Sequence, residues 1–130
     1  MMWNDVGISR DRNNLESAIV KIQDLRQEFW QNLRVPGEPN RLNKNLEMAG
    51  RLADFMELGE LMARDALDRE ESCGCHFREE YQTAEGEAKR NDEAYGYVAA
   101  WEWKGEGRSP QLHQEALEFE AVELTQRSYK

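Results

Sequence analysis

The sequence predicts a mainly α-helical protein, an antiparallel helical bundle that is followed by a C-terminal β-hairpin. Two long segments in the first half repeat apolar residues at spacings of three and four, which is typical of helices that pack through one face. After residue 94 the apolar residues alternate instead, which is typical of strands. The chain has 130 residues, a length that suits one domain with a modest core.

The first long helix is predicted to follow Asn13 or Asn14, because asparagine is a favourable N-cap residue. The segment from Arg34 to Pro39 contains Pro36 and Gly37 and is therefore predicted to end this helix. Between these limits the apolar residues share one helix face: Leu15, Ala18, Ile19, Ile22, Leu25, Phe29 and Leu33.

The second long helix is predicted from about Leu42 to Glu71 and carries two adjacent apolar stripes. Because a two-helix hairpin buries one stripe per helix, so wide an apolar face indicates contact with more than one neighbour. One stripe consists of Leu42, Leu46, Ala49, Ala53, Met56, Ala63 and Leu67. The other consists of Met48, Leu52, Phe55, Gly59, Met62 and Ala66.

The last third of the chain predicts a polar loop from Glu79 to Glu93 and then a hairpin with a long connection from Lys104 to Ala116. Its aromatic face is either the packed side of the hairpin, which we favour, or a binding platform. The first strand has this face: Tyr95, Tyr97, Ala99, Trp101 and Trp103. The second strand alternates and then shifts phase, which predicts a bulge: Leu117, Phe119, Ala121, Val122 and Leu124.

We expect residues 1–78 to form the bundle and residues 79–130 to pack on it within the same domain.

Composition argues against several classes of partner. The net charge of −9 disfavours nucleic acid and anionic membrane surfaces. No apolar run approaches the roughly 20 residues of a membrane-spanning helix, so direct membrane insertion is not expected. The N-terminus lacks the pattern of a signal peptide. Two cysteines one residue apart are poor partners for a structural disulfide, and the expected location is the reducing cytoplasm.

The stretch REESCGCHFREE, residues 69–80, holds both cysteines and one of two histidines. Cys73, Cys75, His76 and the distant His113 could supply four zinc ligands, but the spacing is tighter than in ordinary zinc sites. The run is one residue short of a c-type haem motif and of a thioredoxin-like C-x-x-C motif. Gly74 is instead predicted to end the second helix as a left-handed C′ residue. A cysteine nucleophile activated by His76 remains an alternative. Gly105-Glu106-Gly107 lacks the third glycine of a nucleotide-binding loop.

The run Asp68 to Tyr81 resembles a signature of succinate dehydrogenase and fumarate reductase flavoprotein subunits, R-x-E-S-R-G-x-H-x-R-x-D-Y, which lies in their C-terminal region. L-aspartate oxidase has a related version. Trp3–Arg10 resembles the end of the first helix of that region, and the terminal residues 125–129 (TQRSY) also match. The signature residues in this chain are Arg69, Glu71, Ser72, Gly74, His76 and Arg78.

The resemblance implies that the chain is the C-terminal domain of a flavoprotein subunit, and that its bundle contains two long helices and the end of a truncated first helix. The parent would interconvert succinate and fumarate with FAD and pass electrons to an iron–sulfur subunit. Its flavin-binding and substrate-binding motifs lie upstream, so no catalytic, cofactor-binding or metal residue is assigned to this chain, which is expected to be inactive alone. The signature residues are expected to have structural roles at the junction with the flavin-binding domain. Cys75 departs from the small residue that is usual at its position.

The implied partners are the flavin-binding domain of the same subunit and the iron–sulfur subunit, with a cytoplasmic location peripheral on the inner membrane. The chain resembles an excised piece, and we expect it to self-associate through the second helix or the severed first helix. Two alternatives stay open: a stand-alone helical interaction or dimerisation module, and an L-aspartate oxidase parent. An L-aspartate oxidase parent fits the long terminal hairpin and the closing residues 127–129 less well than a succinate dehydrogenase or fumarate reductase parent does.

Overall fold

The computed structural model describes residues 1–38, 40–105 and 107–125. It confirms a helix-rich fold with two long helices and a C-terminal antiparallel strand pair. In chain order the elements are α1 (Met2–Asp5), β1 (Ser9–Arg10), α2 (Arg12–Asn32), α3 (Lys44–Asp68), β2 (Phe77–Arg78), α4 (Asp92–Tyr95), β3 (Tyr97–Glu102) and β4 (Gln111–Ala116).

Helix α2 begins earlier than predicted, because its N-cap is Asp11 and not Asn13 or Asn14. The backbone of Asp11 is extended, and its carboxylate accepts a hydrogen bond from Asn14 N at 2.9 Å. Both asparagines therefore lie inside the first turn. At the other end Leu33 leaves helical geometry with ψ 129° while its N–H still donates to Phe29 O at 2.9 Å. The predicted stop before Pro36 is thus close to the observed one.

Helix α3 lies within the predicted limits but is shorter at both ends. Asn43 begins it, since its side-chain oxygen accepts hydrogen bonds from Asn45 N at 3.0 Å and Leu46 N at 3.3 Å. It ends at Asp68, three residues before the predicted Glu71. Beyond this end, the Glu71 carboxylate accepts a hydrogen bond from Asn91 N at 2.8 Å.

Two compact units make up the described chain. The first comprises Met1–Gly7 with Asp11–Asp68, and the second comprises Ile8–Arg10 with the residues from Arg69 onward. The signature segment 69–78, which was predicted to belong to the bundle, groups with the second unit. That all of the chain forms one domain stays a prediction.

The first unit is an antiparallel α2–α3 pair with α1 against it. The start of α2 contacts the end of α3, and Gln23 in the middle of α2 reaches Glu60 of α3 at 2.9 Å. The buried core is small: Val6, Leu15, Ala18, Ile19, Ala63 and Ala66, with Met2 and Leu67 packed against it.

Both α3 stripes are covered only in part within this unit, because Ala63 of the first stripe and Gly59 and Ala66 of the second are buried. Ala63 is fully buried, and Ala49, Ala53 and Met56 are half-buried. The second stripe is exposed over most of its length: Met48 66%, Leu52 50%, Phe55 65% and Met62 48%. The wide apolar face predicted from the sequence is therefore present on α3, and much of it is accessible.

The second unit contains two small sheets. Strands β1 and β2 pair in parallel, with Arg10 opposite Arg78. Strands β3 and β4 pair antiparallel over six residues, from Tyr97 opposite Ala116 to Glu102 opposite Gln111. The β1–β2 pair was not predicted, because two-residue strands give no periodic signal.

The second hairpin strand was placed too late in the sequence. β4 ends at Ala116, so residues 117–125 follow the strand, and the predicted strand and bulge there are wrong. The last rung is the bond from Leu117 N to Gly96 O at 2.9 Å, because α4 precedes Gly96 and leaves no strand to pair with. Glu106 of the Gly105–Gly107 segment and the terminal residues 126–130 lie outside the described residues.

No helix among the described residues is long and apolar enough to cross a membrane.

Candidate functional site

The signature segment begins where α3 ends and folds into a tight hairpin turn. Cys73 N donates to His76 O at 2.8 Å, and His76 N donates to Cys73 O at 3.0 Å. Gly74 lies inside this turn with φ +58°, in the left-handed region that favours glycine. The predicted left-handed conformation is therefore present, but the prediction that Gly74 ends the helix is wrong, since α3 ends at Asp68.

Ser72 closes the base of this turn. It has no exposed surface, and its hydroxyl group accepts from Arg78 N at 2.8 Å and donates to Arg78 O at 3.1 Å. Its own N–H donates to Lys89 O at 2.9 Å. One small polar residue thus joins three stretches of backbone.

Glu71 and Arg69 form an ion pair that connects the turn to α4 and β3. Glu71 is 2% exposed; one of its carboxylate oxygens lies 3.1 Å from Arg69 Nη1, and the other accepts from Asn91 N. Asn91 is the N-cap of α4, so Glu71 positions the start of that short helix. Arg69 also donates to Tyr97 O at 3.2 Å, and its guanidinium lies 5.4 Å from the Tyr97 ring centroid.

His76 joins the signature segment to the strand near the N-terminus. Its Nε2 lies 2.9 Å from Arg69 O, and its Nδ1 lies 2.7 Å from Arg10 Nη1. Because a guanidinium only donates, Nδ1 accepts and Nε2 carries the proton, which requires neutral imidazole. Burial lowers the pKa of His76; the bond to the Arg69 carbonyl opposes this, and the charges of Arg10, Arg78 and Arg69 lower it further.

Arg78 is the largest fully buried side chain of the described residues. Its Nε donates to Glu80 Oε2 at 3.1 Å, and its guanidinium lies 5.4 Å from the Tyr81 ring centroid. A buried arginine is tolerated only where such partners compensate for its lost hydration.

The candidate metal ligands are not brought together. Among the described residues, no three His, Cys, Asp or Glu side chains form a group that could hold a metal ion. His113 lies exposed on β4, with Nε2 2.8 Å from Glu102 Oε2. Cys73 is half-buried and Cys75 is exposed, and both are free thiols.

A second buried polar cluster, in the first unit, was not predicted. Glu60 is 7% exposed and lies 2.7 Å from Arg26 of α2 and 2.7 Å from Arg64 of α3. Burial alone would raise the pKa of Glu60, but hydrogen bonds from Gln23 and Arg64 and the two arginine charges bring it below its usual value. One feature of the sequence could have indicated that Glu60 is buried: it lies between Met56 and Ala63, two residues of the same apolar stripe.

The predicted signature residues Arg69, Glu71, Ser72, His76 and Arg78 thus share one network with a residue that the sequence did not single out, Arg10. Most of these contacts join one backbone segment to another, whereas the Arg69–Glu71 and Arg78–Glu80 pairs join near neighbours. The network fixes the turn 73–76, the β1–β2 pair and the start of α4.

The comparisons with known proteins agree with the resemblance found in the sequence. The family described as "Fumarate reductase flavoprotein C-term" matches residues 1–129. A fumarate reductase (CoM/CoB) subunit of Methanothermobacter marburgensis is 41% identical over 90 residues, which are 69% of this chain and 16% of that protein. L-aspartate oxidase of Vibrio cholerae is 37% identical over 83 residues, 62% of this chain and 14% of that enzyme.

A solved structure has the same fold. The FrdA chain of E. coli quinol fumarate reductase superposes with a TM-score of 0.80 at 22% identity, covering 96% of this chain and 20% of that one. The chain therefore spans only a small part of the relatives that it matches, and the match over residues 1–129 makes it a member of the C-terminal domain family of the succinate dehydrogenase and fumarate reductase flavoprotein subunits.

Proposed function

We propose that this chain is the structural C-terminal domain of a flavoprotein that interconverts succinate and fumarate with FAD. In that protein a hydride passes between the dicarboxylate and the flavin, and electrons continue to an iron–sulfur subunit. The family match over residues 1–129 and the fumarate reductase relative at 41% identity support this assignment.

The observation that carries the structural role is the use made of the signature side chains. Ser72, Glu71 and Arg78 are buried, and their hydrogen bonds connect segments of this chain. His76 is held neutral between Arg69 O and Arg10. Groups committed in this way have little freedom to bind a flavin or a dicarboxylate, which supports placing the reacting groups upstream of this region.

Activity measurements on two proteins test this proposal. The 130-residue chain should purify without flavin absorbance and should show no succinate-dependent dye reduction. The longer protein that contains it should bind FAD and reduce the dye with succinate. Dye reduction by the short chain alone, without added flavoprotein, would contradict the structural role. A longer protein that lacks flavin would contradict the family function.

A second parent, an L-aspartate oxidase, is favoured by one observation: the V. cholerae enzyme of that name is 37% identical over 83 residues. The two parents differ in substrate, so the longer protein should be offered succinate and L-aspartate in parallel. We expect reduction of the dye with succinate. Flavin reduction by L-aspartate alone would reverse the order of the two candidates.

The partners follow from the same proposal. The flavin-binding part of the same subunit would meet the signature region, and an iron–sulfur subunit would receive the electrons, which would hold the protein on the cytoplasmic side of the inner membrane. Affinity purification of the longer protein from its own cells should recover a subunit with iron and acid-labile sulfide. Two results together would support the stand-alone interaction module instead. The short chain would be recovered with an unrelated protein, and the genome would encode no flavoprotein that contains this chain.

A further inference from the structure

The two thiols lie in a geometry that the proposed function does not use. Cys73 and Cys75 are the first and third residues of the four-residue turn 73–76, which both Cys73–His76 backbone hydrogen bonds close. The first central residue, Gly74, has φ +58° and Cys75 has negative φ, as in a type II′ turn. A methyl group added at Gly74 would meet nothing within 4 Å, so that side of the turn is open.

The turn brings the two cysteines within reach of one another. Residues two apart span at most about 7 Å even in a fully extended chain. A turn shortens this distance, and disulfides need Cα atoms about 4.4–6.8 Å apart. The two Cα atoms of Cys73 and Cys75 therefore cannot lie much farther apart than a disulfide allows.

The two sulfur atoms differ in their surroundings. Cys75 is exposed, and Cys73 is half-buried. An oxidant in solution therefore meets Cys75 first.

We propose that Cys73 and Cys75 form a reversible dithiol switch that is oxidised by hydroperoxides. The Cys75 sulfur attacks the peroxide O–O bond, forms a sulfenic acid and releases an alcohol or water. The Cys73 sulfur then attacks the Cys75 sulfur, forms the disulfide and displaces hydroxide. In total the two thiols lose two protons and two electrons, which the hydroperoxide accepts, and the displaced hydroxide takes up one of these protons and leaves as water.

The small ring explains why this pair is a switch rather than a structural bridge. A disulfide that closes across one residue is strained, and strained, exposed disulfides are readily reduced. The ring would also include Cys73, whose N–H and C=O hold His76 in the turn. Oxidation is therefore expected to weaken the Cys73–His76 pair and to loosen the contact of His76 with Arg10.

Peptide mass spectrometry tests the bond directly. The chain is treated with a small excess of hydrogen peroxide, free thiols are blocked, and trypsin releases residues 70–78 (EESCGCHFR) with both cysteines in one peptide. We expect this peptide to lose two hydrogens and to regain them, as two blockable thiols, after dithiothreitol treatment. Oxygen addition to Cys75 without the internal bond would overturn the proposal, as would disulfide-linked dimers as the main product.

Two matched variants test the order of events. In Cys73→Ser the sulfenic acid on Cys75 has no partner and should become trappable by a 1,3-diketone reagent. In Cys75→Ser the remaining Cys73 should react at least tenfold more slowly with peroxide, because it is half-buried. Equal reactivity of the two single variants would overturn the assigned order, and failure of C73S to give the diketone adduct would overturn the sulfenic acid step.

Discussion

At the scale of single residues, the signature segment is built from polar side chains that are buried but hydrogen-bonded. Ser72 and Arg78 have no exposed surface, and Glu71 has 2%. Burying such a polar group costs free energy unless its hydrogen bonds are made. Because the hydrogen bonds of these three residues are made in the observed conformation, they favour that conformation of the turn 73–76 over others. The stability of the segment should therefore be sensitive to small polar deletions.

Ser72→Ala should lower the free energy of unfolding by about 1–3 kcal/mol, because it removes the buried acceptor of Arg78 N and the donor to Arg78 O. Urea unfolding followed by circular dichroism measures the change. Ser9→Ala is the matched control: it makes the same chemical change at an exposed hydroxyl group, 2.7 Å from Glu79, and should cost no more than about 0.5 kcal/mol. Equal losses in S72A and S9A would show that burial at Ser72 does not matter.

The lowered pKa of His76 predicts a pH dependence of stability. In the unfolded chain the imidazole titrates near 6.5, whereas in the folded chain its pKa lies lower. Between the two values the unfolded state binds more protons, so the contribution of His76 is complete above about pH 6.5 and falls as the pH drops towards the folded pKa. Urea unfolding between pH 8 and 5 measures this slope.

Two variants isolate that slope. His76→Gln keeps a polar side chain but cannot take up a proton, so it should lose the part of the slope that lies below pH 6.5. His113→Asn leaves His76 in place and should keep that part. A slope that persists unchanged in H76Q would mean that other groups cause it.

Which members of this network a sequence can reveal depends on their separation along the chain. Ser72, His76 and Arg78 lie within seven residues and form a recognisable motif. Arg10 contacts His76 across 66 residues, and neither residue shows a pattern that predicts the other. The contact becomes visible only when β1 pairs with β2.

At the scale of elements, helix α2 was predicted from its apolar spacing, but its beginning was not. The periodic residues define which face is buried, whereas the cap depends on a single hydrogen bond between neighbours. In the hairpin, likewise, the sequence pattern predicted that strands exist but not where the second strand ends. Alternation predicts strands at Tyr97 and at Leu117 alike, but the second strand can only extend along a partner, and β3 has six residues. Its partner therefore ends at Ala116.

Alanine substitutions at the observed N-cap and at a predicted N-cap of α2 should differ in their effect on stability. Asp11→Ala should destabilise the chain by about 0.5–2 kcal/mol, because the carboxylate that accepts from Asn14 N is lost from the helix start. Asn13→Ala lies inside the first turn of the helix and should be neutral or slightly stabilising, since alanine has the higher helix propensity. Thermal melting of the two variants gives the comparison. A larger loss of stability in N13A than in D11A would indicate that Asn13, as predicted from the sequence, caps the helix.

At the scale of the whole molecule, the accessible stripe on α3 departs from an ordinary protein surface. Exposed single apolar residues are normal, but a row of them along one helix face marks a contact surface. Met48, Leu52, Phe55 and Met62 form such a row. The chain covers 16% of the fumarate reductase subunit of Methanothermobacter marburgensis, so most of that relative lies outside the matched region.

In the isolated chain this stripe is expected to drive self-association, which sedimentation velocity at micromolar concentrations would detect. Phe55 is 65% exposed, and burying it in an interface should contribute about 1.5–3 kcal/mol, so Phe55→Glu should weaken association by at least about tenfold. Val98→Glu is the matched control, because Val98 is 52% exposed on β3, does not belong to the stripe, and should leave association unchanged when replaced. The net charge of −9 opposes association, so added salt should strengthen it. A monomer at every salt concentration, or equal weakening by F55E and V98E, would exclude the α3 stripe as the contact surface.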